Sequence, residues 1–247
     1  MKITDYEFKV KESLDYACEY HGLKKTKNEK ALLMFSGGMD SVSLAWNLLE
    51  HTQQDVHIHA IHLHNTENRI NAEAQAIKNS IEFLQKNQRS FTFSSSMYSW
   101  LSKYAGGKDM TLALFQAVRV MSGLGETFNA VFSGDYNMLK EEVAEAYGVF
   151  NAACSNRRLK PVWVTPLDYM TKISVDRSLG IYLGMPEELR ELYWSCRRPL
   201  QSPSGFIKCG TCHSCERQKT MFKKLDTLSE EEKQHDTRNR KVFSRLE

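Results

Sequence analysis

The chain of 247 residues is long enough for one large domain, or for one domain with a small appendage. Its 41% of hydrophobic residues exclude general disorder, and its formal net charge of +3 is too small to predict nucleic-acid binding. No apolar run approaches the roughly 18–20 residues that span a membrane, and the polar N-terminus lacks the apolar stretch of a signal peptide, so we expect a cytoplasmic protein with no membrane partner.

An amphipathic helix is predicted first, over residues 7–20, within an N-terminal helical extension at 1–28. After it, short apolar runs alternate with stretches in which apolar residues recur every three or four positions. The apolar runs predict five strands, at 31–35, 56–64, 90–93, 130–132 and 162–164. The periodic stretches predict five helices, at 41–50, 68–86, 111–121, 139–147 and 173–183.

Strands that alternate with helices of this length predict an α/β fold, a Rossmann-like five-stranded parallel sheet with helices on both faces. Ligands bind such sheets at the carboxyl ends of the strands. We therefore expect one cleft, lined by the turns at 36–41, 64–69, 94–110, 133–138 and 165–172. The α/β domain is predicted over 29–190, a small cysteine-rich helical subdomain over 191–225, and a charged helix or tail over 226–247.

A glycine-rich turn joins the first predicted strand to its helix. This phosphate loop reads Ser36-Gly37-Gly38-Met39-Asp40-Ser41. Two glycines let the backbone approach a phosphate closely, and the positive end of the helix dipole favours an anion. The serines add hydroxyl donors, and Asp40 is placed to meet magnesium. We expect all six residues to bind the phosphates of a nucleotide.

Four of the six cysteines form a cluster near the C-terminus. They are Cys196, Cys209, Cys212 and Cys215. Without a secretory signal this spacing predicts a metal site, and four thiolates can close a tetrahedral zinc site. An iron–sulfur cluster is the alternative that the same spacing allows. We expect the two isolated cysteines, Cys18 and Cys154, to be buried in the core, and His213 to be an exposed neighbour of the metal.

The histidines of the second predicted strand alternate in two pairs on opposite faces, His57 with His59 and His62 with His64. We expect these side chains to be packed or partly buried, and only His64, at the carboxyl end of the strand, to reach a ligand. Trp194 is expected to pack against the cysteine cluster.

The phosphate loop resembles the pyrophosphatase loop (PP-loop) of the N-type ATP pyrophosphatases, which split ATP between the α and β phosphates. Two further segments near the C-terminus read Trp-Ser-Cys at 194–196 and Cys-Gly-Thr-Cys-His-Ser-Cys-Glu-Arg at 209–217. Together these segments resemble the 7-cyano-7-deazaguanine synthase family over about residues 31–222. Thr165-Pro166-Leu167 with Lys172, and Ser133-Gly134-Asp135, look like two further segments of that family.

The resemblance implies a reaction, its cofactors and an assembly. Members of the family use ATP to adenylate the carboxylate of 7-carboxy-7-deazaguanine, and ammonia displaces AMP to give the amide. A second ATP activates the amide oxygen, and loss of AMP leaves the nitrile. The implied cofactors are ATP, Mg²⁺ and a structural Zn²⁺, and the implied assembly is a homodimer.

Charged side chains around the expected cleft suit this chemistry, because charge builds on the phosphates as a carboxylate oxygen attacks the α-phosphorus. The predicted catalytic residues are Asp40, Asp135 and Lys172. Lys172 is expected to contact a phosphate or the substrate carboxylate, and Asp135 a metal or the substrate. His64 and Lys108 are predicted to contact ATP, and Arg69 to contact the substrate.

Three alternatives stay open, because parts of the family pattern differ here. Residues 64–69 read His-Asn-Thr-Glu-Asn-Arg where the family has a Tyr-Gly-Gln-Arg-His type segment, and 136–139 read Tyr-Asn-Met-Leu in place of a Tyr-Pro-Asp-Cys-Arg type segment. The chain could join the activated carboxylate to another amine, such as one on a protein. It could instead be a PP-loop enzyme that thiolates tRNA, or a non-catalytic, nucleotide-binding partner protein.

Overall fold

Five parallel strands form the central sheet of the protein. A computed structural model describes residues 6, 9–65, 67–99, 109–134, 140–173, 176–203 and 205–227, with the backbone alone at 171–173. The strands lie in the order β3-β2-β1-β4-β5, and every neighbouring pair is parallel. Their bounds are β1 Lys30–Phe35, β2 Asp55–His64, β3 Thr92–Ser99, β4 Ala130–Ser133 and β5 Val162–Val164.

Helices cover both faces of this sheet, so the predicted α/β fold is confirmed. They are α1 Lys9–Tyr20, α2 Met39–His51, α3 Ile70–Asn87, α4 Asp109–Leu124, α5 Lys140–Asn156, α6 Arg177–Leu183, α7 Glu187–Arg190 and α8 His213–Asp226. A 3₁₀ segment, Pro166–Ile173, follows β5, and a hairpin of β6 (Leu200–Ser202) and β7 (Gly205–Ile207) precedes α8. Across the described ranges, no helix combines the length and the apolar character that a membrane crossing requires.

The central strand β1 separates two layers of the hydrophobic core. Leu33 and Phe35 pack with apolar residues of α1, α2 and α3, whereas Leu32 and Met34 pack with those of α4 and α5. This alternation follows from the two-residue period of a strand, which points successive side chains to opposite faces. Because both faces are covered, the run that forms β1 is apolar at almost every position.

The strand order determines where a ligand can bind. β2 and β3 lie on one side of β1, and β4 and β5 lie on the other. The chain therefore leaves the carboxyl ends of β1 and β4 in opposite directions, which opens a crevice between the two loops. Because the phosphate loop directly follows β1, it lies at this crevice.

Helix α1 packs into the larger core layer. Val10 and Leu14 are fully buried, and the Ser13 hydroxyl donates a hydrogen bond to the carbonyl oxygen of Pro166. The helix contacts α2, α6 and the 3₁₀ segment. Its apolar face is thus a part of the main core.

Strand β3 begins and ends later than predicted, at 92–99 instead of 90–93. Its middle is polar, and a polar run is a weak strand signal in a sequence. In the structure the hydroxyl groups of Ser94 and Ser96 contact the imidazoles of the buried His57 and His59 on β2. These cross-strand contacts extend the ladder, and they confirm that His57 and His59 are packed.

Two predicted helices also have different bounds. The helix predicted at 173–183 begins later, as α6 at Arg177, because the Asp176 carboxylate accepts a hydrogen bond from the Leu179 N–H and caps the start of the helix. The helix predicted at 139–147 continues as α5 to Asn156, since Phe150 and Cys154 are buried against the sheet.

Candidate functional site

A cleft with a volume of about 380 Å³ lies at the carboxyl end of β1, where the strand order reverses. The phosphate loop, the first turns of α3 and α4, the segment 194–197 and the start of α8 line it. The polar side chains on its surface are Ser36, Asp40, Ser41, Arg69, Glu73, Asp109, Ser195, Arg197, His213, Ser214 and Arg217. A volume of this size suits a small-molecule site.

The phosphate loop makes a tight turn into α2. Gly37 has a φ of +71°, which glycine adopts readily, and a Cβ atom there would lie 2.8 Å from Cγ1 of Ile77. The Ser41 hydroxyl oxygen accepts a hydrogen bond from the Ser36 N–H at 3.2 Å, and the Ser36 hydroxyl oxygen accepts one from the Gly38 N–H at 3.3 Å. Asp40 and Ser41, in the first turn of α2, line the cleft at the positive end of the helix dipole, which favours an anion.

Asp40, in the first turn of α2, meets an arginine from the C-terminal helix. Nη2 of Arg217 donates to Oδ2 of Asp40 at 3.4 Å. Oδ1 of Asp40 is buried and has no hydrogen-bond partner among the residues that the structure describes. Burial raises the pKa of the Asp40 carboxyl, and the Arg217 guanidinium opposes this shift. A buried carboxylate oxygen without a partner fits as a ligand for a hard cation such as Mg²⁺.

The segment before Cys196 touches the phosphate loop directly. The Trp194 N–H donates to the Gly37 carbonyl oxygen at 2.8 Å, and the Ser195 hydroxyl oxygen accepts a hydrogen bond from the Met39 N–H at 3.3 Å. The Trp194 ring packs against the cysteine cluster, as predicted, and its Nε1–H donates to the Cys196 carbonyl oxygen at 3.0 Å. The cysteine cluster and the loop are therefore connected through two residues.

The four clustered cysteines form a set that can hold a metal ion, with all of their sulfur atoms within 4.8 Å of one another. Cys209 Sγ and Cys215 Sγ lie 4.0 Å apart. A tetrahedral zinc ion with Zn–S bonds of about 2.3 Å needs sulfurs about 3.8 Å apart, so the set fits one ion. In a [4Fe–4S] cluster the four cysteines bind four separate irons, which requires wider spacing. Cys18 and Cys154 are buried elsewhere in the core, as predicted.

Backbone N–H groups point at the sulfurs of the cluster. The Cys209 N–H donates to Cys196 Sγ at 3.2 Å, the Cys212 N–H to Cys209 Sγ at 3.4 Å, and the Arg197 N–H to Cys212 Sγ at 3.4 Å. Such donors stabilise the negative charge of thiolates, which are the form that binds metal. We call Cys196 together with residues 209–215 the cysteine knuckle.

Arg69 lies in the cleft within a network of charged groups. Its guanidinium pairs with Glu67 at 2.9 Å, Glu73 at 3.0 Å and Asp109 at 2.7 Å. Arg197 also reaches Glu67 and Asp109, at 3.3 and 3.4 Å. Burial raises the pKa of the Glu73 carboxyl to about 7, although Arg69 and Arg197 act in the opposite direction. Arg69 is thus held at the cleft by carboxylates that a polar substrate would also meet.

The other predicted site residues are not brought together in the same way. His64 is exposed at the end of β2, where its Nδ1 lies 3.4 Å from the Ser99 hydroxyl, and it does not line the cleft. Asp135 and Lys108 lie outside the described residues, and so does the side chain of Lys172. Residues 165–170, which we expected at the cleft, do not line it, because Leu167 and Met170 are buried in the core layer that holds α1.

Several residues at the cleft have no role in the sequence-based prediction. Ser195 and Arg217 belong to the two C-terminal segments that carry the family resemblance. The sequence therefore drew attention to these segments, but it did not predict the contacts of the two residues. Glu73, Asp109 and Arg197 belong to none of the motifs identified in the sequence. They reach the cleft only because the starts of α3 and α4 meet the segment after Cys196.

No protein-family model matches the chain. It is 27% identical over 220 residues to the 7-cyano-7-deazaguanine synthase of Methanoculleus marisnigri, a match that covers 80% of this chain and 95% of that protein. The resemblance predicted from the phosphate loop and the cysteine segments is therefore confirmed, and this relationship supports an ATP-dependent enzyme of the PP-loop type.

A structural comparison matches the U34-tRNA thiolase NcsA of Methanococcus maripaludis, solved with its [4Fe-4S] cluster. The match has a TM-score of 0.48 and 16% identity, and it covers 98% of this chain and 81% of that one.

Proposed function

We propose that the protein is an AMP-forming ligase that adenylates the carboxylate of 7-carboxy-7-deazaguanine. A carboxylate oxygen attacks the α-phosphorus of ATP, and pyrophosphate leaves. Ammonia then attacks the acyl carbon and loses a proton as AMP departs, which gives the amide. The observation that carries this proposal is the phosphate loop at the switch point of the sheet, in a chain related to a 7-cyano-7-deazaguanine synthase.

The nitrile would form in a second round at the same site. The amide oxygen attacks the α-phosphorus of a second ATP, and pyrophosphate leaves again. The amide nitrogen then loses both of its protons as AMP departs, and the carbon–nitrogen triple bond forms. Relatives of this kind of ligase could instead pass the activated carboxylate to an amine on a protein, so the product distinguishes the two outcomes.

This chain's own groups have separate parts in the proposed chemistry. The N–H groups of the phosphate loop bind the phosphates and stabilise the charge that builds on them. Arg69 and Arg197 offer guanidinium groups for the substrate, and Lys172 is proposed to meet its carboxylate or a phosphate. Asp40 Oδ1 would hold Mg²⁺, which supplies positive charge beside the phosphates when it is bound.

We further propose that the cysteine knuckle binds one structural Zn²⁺. Its four sulfurs fit a single ion, and none of them lines the cleft, so the metal supports the fold instead of touching the substrate. Thiolation of tRNA would need a free cysteine at the cleft. All six cysteines are described, and each is either in the knuckle or buried in the core, which favours the ligase.

The test supplies metal-replete protein with ATP, magnesium, ammonium and 7-carboxy-7-deazaguanine, and identifies the products by mass spectrometry. We expect AMP, pyrophosphate, and the amide or nitrile. Asp40→Asn should lower the rate at least about a hundredfold, whereas Asp55→Asn, on an exposed strand end, should not change it.

Each other outcome points to one alternative. Release of ADP, or no AMP from folded and metal-replete protein, would contradict the proposal. A conjugate with an added lysine-containing peptide would identify a protein acceptor, and a thiolated base after incubation with tRNA would identify a thiolase. Binding of ATP with no AMP from any acceptor would indicate a non-catalytic partner protein. Light scattering would test the implied homodimer.

A further inference from the structure

Arg217 joins the two ends of the functional site. It lies in the first two turns of α8, two residues after the last cysteine of the knuckle, and its side chain lines the same cleft as the phosphate loop. Its Nη2 contacts Oδ2 of Asp40 across 177 residues of sequence.

The pairing of Asp40 with Arg217 is poorly suited to a permanent ion pair. The two atoms are 3.4 Å apart, which is long for a charge-assisted hydrogen bond, and each side chain is a quarter to a third exposed to the cleft. The second carboxylate oxygen has no described partner. Both side chains therefore reach the cleft. A cation bound there would interact more strongly with Asp40 than Arg217 does, and an anion would interact more strongly with Arg217 than Asp40 does.

A bound nucleotide would bring both partners. Its phosphates carry several negative charges beside the Asp40 carboxylate, which repels them unless a cation intervenes. Magnesium at Oδ1 of Asp40 would remove that repulsion, and by neutralising the carboxylate it would weaken the attraction between Oδ2 and the guanidinium. The guanidinium would then exchange the carboxylate for phosphate oxygens, to which its planar fork of donors is well matched.

We propose that Arg217 is a phosphate-binding residue that contacts Asp40 in the ligand-free protein and exchanges it for the leaving diphosphate of ATP when Mg²⁺ and nucleotide enter. This inference rests on the proposed function, because it assumes a nucleotide in this cleft. It adds a role for the cysteine knuckle. The knuckle positions a residue that touches the nucleotide, in addition to holding the phosphate loop through Trp194 and Ser195.

The first experiment measures binding of ATP, pyrophosphate and AMP by equilibrium dialysis, with magnesium present. Arg217→Gln should weaken the binding of ATP and pyrophosphate roughly tenfold to a hundredfold, and that of AMP little. Arg217→Lys keeps the charge but loses the fork, so its effect should be smaller. Lys223→Gln removes a charge from an exposed position on the same helix and should change nothing.

Metal content and the midpoint of urea unfolding are measured for every variant. A loss of ATP binding with unchanged metal content and stability identifies a ligand contact, since a purely structural arginine would shift all three. If Arg217→Gln and Arg217→Lys both bind ATP and pyrophosphate as the wild type does, the inference is wrong.

The second experiment tests the exchange itself, with ATP and no added magnesium. Asp40→Asn removes the repulsion and releases Arg217, so it should bind magnesium-free ATP several-fold more tightly than the wild type. The double variant Asp40→Asn with Arg217→Gln should lose this gain. Equal binding by the wild type and Asp40→Asn would refute the exchange.

The outcomes separate this inference from the proposed function. A wild type that binds ATP through Arg217 but forms no AMP from the carboxylate would refute the ligase and leave the inference standing. A wild type that forms AMP, with ATP binding unchanged in Arg217→Gln, would refute the inference and leave the ligase standing. A wild type that binds no ATP would refute both.

Discussion

Gly134, directly after β4, shows how closely two backbone segments approach at the cleft. A Cβ atom at this position would lie 2.8 Å from the backbone carbonyl carbon of Asp40 and from the backbone nitrogen of Ser41. Backbone atoms cannot turn aside as the end of a flexible side chain can, so one methyl group would displace the start of α2. Because Gly134 has no side chain, the phosphate loop can pack directly against the end of β4.

We expect Gly134→Ala to lower the free energy of unfolding by about 1–3 kcal/mol and to weaken ATP binding, because the loop must shift. Urea unfolding and equilibrium dialysis measure the two effects. The matched control is Gly148→Ala in α5, where a Cβ atom meets nothing within 4 Å. Alanine should stabilise that helix by about 0.5–1 kcal/mol. Similar behaviour of the two variants would contradict the close approach.

Strands β2 and β3 are joined by hydroxyl groups of β3 that contact two buried imidazoles of β2. The Ser94 hydroxyl lies 2.7 Å from a ring nitrogen of both His57 and His59, and the Ser96 hydroxyl lies 3.0 Å from the second ring nitrogen of His59. Burial lowers the pKa of the His59 imidazole to about 4, and the neighbouring His57 and His62 act in the same direction. His59 is therefore neutral in the folded protein near pH 7.

The pH dependence of stability follows from this lowered pKa. The unfolded chain binds a proton at His59 near pH 6.5, and the folded chain does so only near pH 4, so acid favours unfolding between these values. The contribution of His59 to the free energy of unfolding should be fully present above pH 6.5. Below pH 6.5 it should fall by up to about 1.4 kcal/mol per pH unit.

His59→Gln cannot titrate, so its free energy of unfolding should fall less steeply with decreasing pH than that of the wild type. Urea unfolding at a series of pH values between about 7 and 4.5 measures the slope. Parallel curves for the wild type and His59→Gln would contradict the burial of a neutral imidazole.

The molecule as a whole brings distant parts of the chain to one cleft. Met39 contacts Ser195 over 156 residues, and Asp40 contacts Arg217 over 177 residues. The cysteine knuckle lies between Ser195 and Arg217 in the sequence. A bound metal would therefore fix the positions of both residues. The phosphate loop is therefore supported from both the sheet and the knuckle.

Loss of the knuckle metal should weaken nucleotide binding although no knuckle sulfur lines the cleft. We expect Cys212→Ser to lose its metal, to melt at a lower temperature and to bind ATP at least about tenfold more weakly, with the sheet still folded by circular dichroism. Cys154→Ala, in the core layer that contains α4 and α5, should keep both the metal and the affinity for ATP. Unchanged ATP binding by metal-free Cys212→Ser would contradict this coupling.

The same preparation identifies the metal. Elemental analysis of the wild type should give one zinc per chain, and the protein should be colourless. Absorption near about 400 nm, with iron in the elemental analysis, would instead assign an iron–sulfur cluster.

Local features of the sequence were sufficient for the order of strands and helices, the phosphate loop and the grouping of the four clustered cysteines. Each depends on neighbouring residues: apolar periodicity, a glycine pair after a buried strand, or cysteines a few positions apart. The polar strand β3 and the 3₁₀ segment after β5 were placed less well, because their conformations depend on partners elsewhere, namely the histidines of β2 and the core around α1.

The sequence by itself determined that this is an α/β protein with a phosphate loop and a cluster of four cysteines that can hold a metal ion. Only the tertiary structure decided that Ser195 and Arg217 reach the loop, that Arg69 lies among three carboxylates, and that His64 stays outside the cleft. The physical reason is distance along the chain. Contacts between segments more than a hundred residues apart arise from how packed layers bring their loops together, and local spacing does not encode that arrangement.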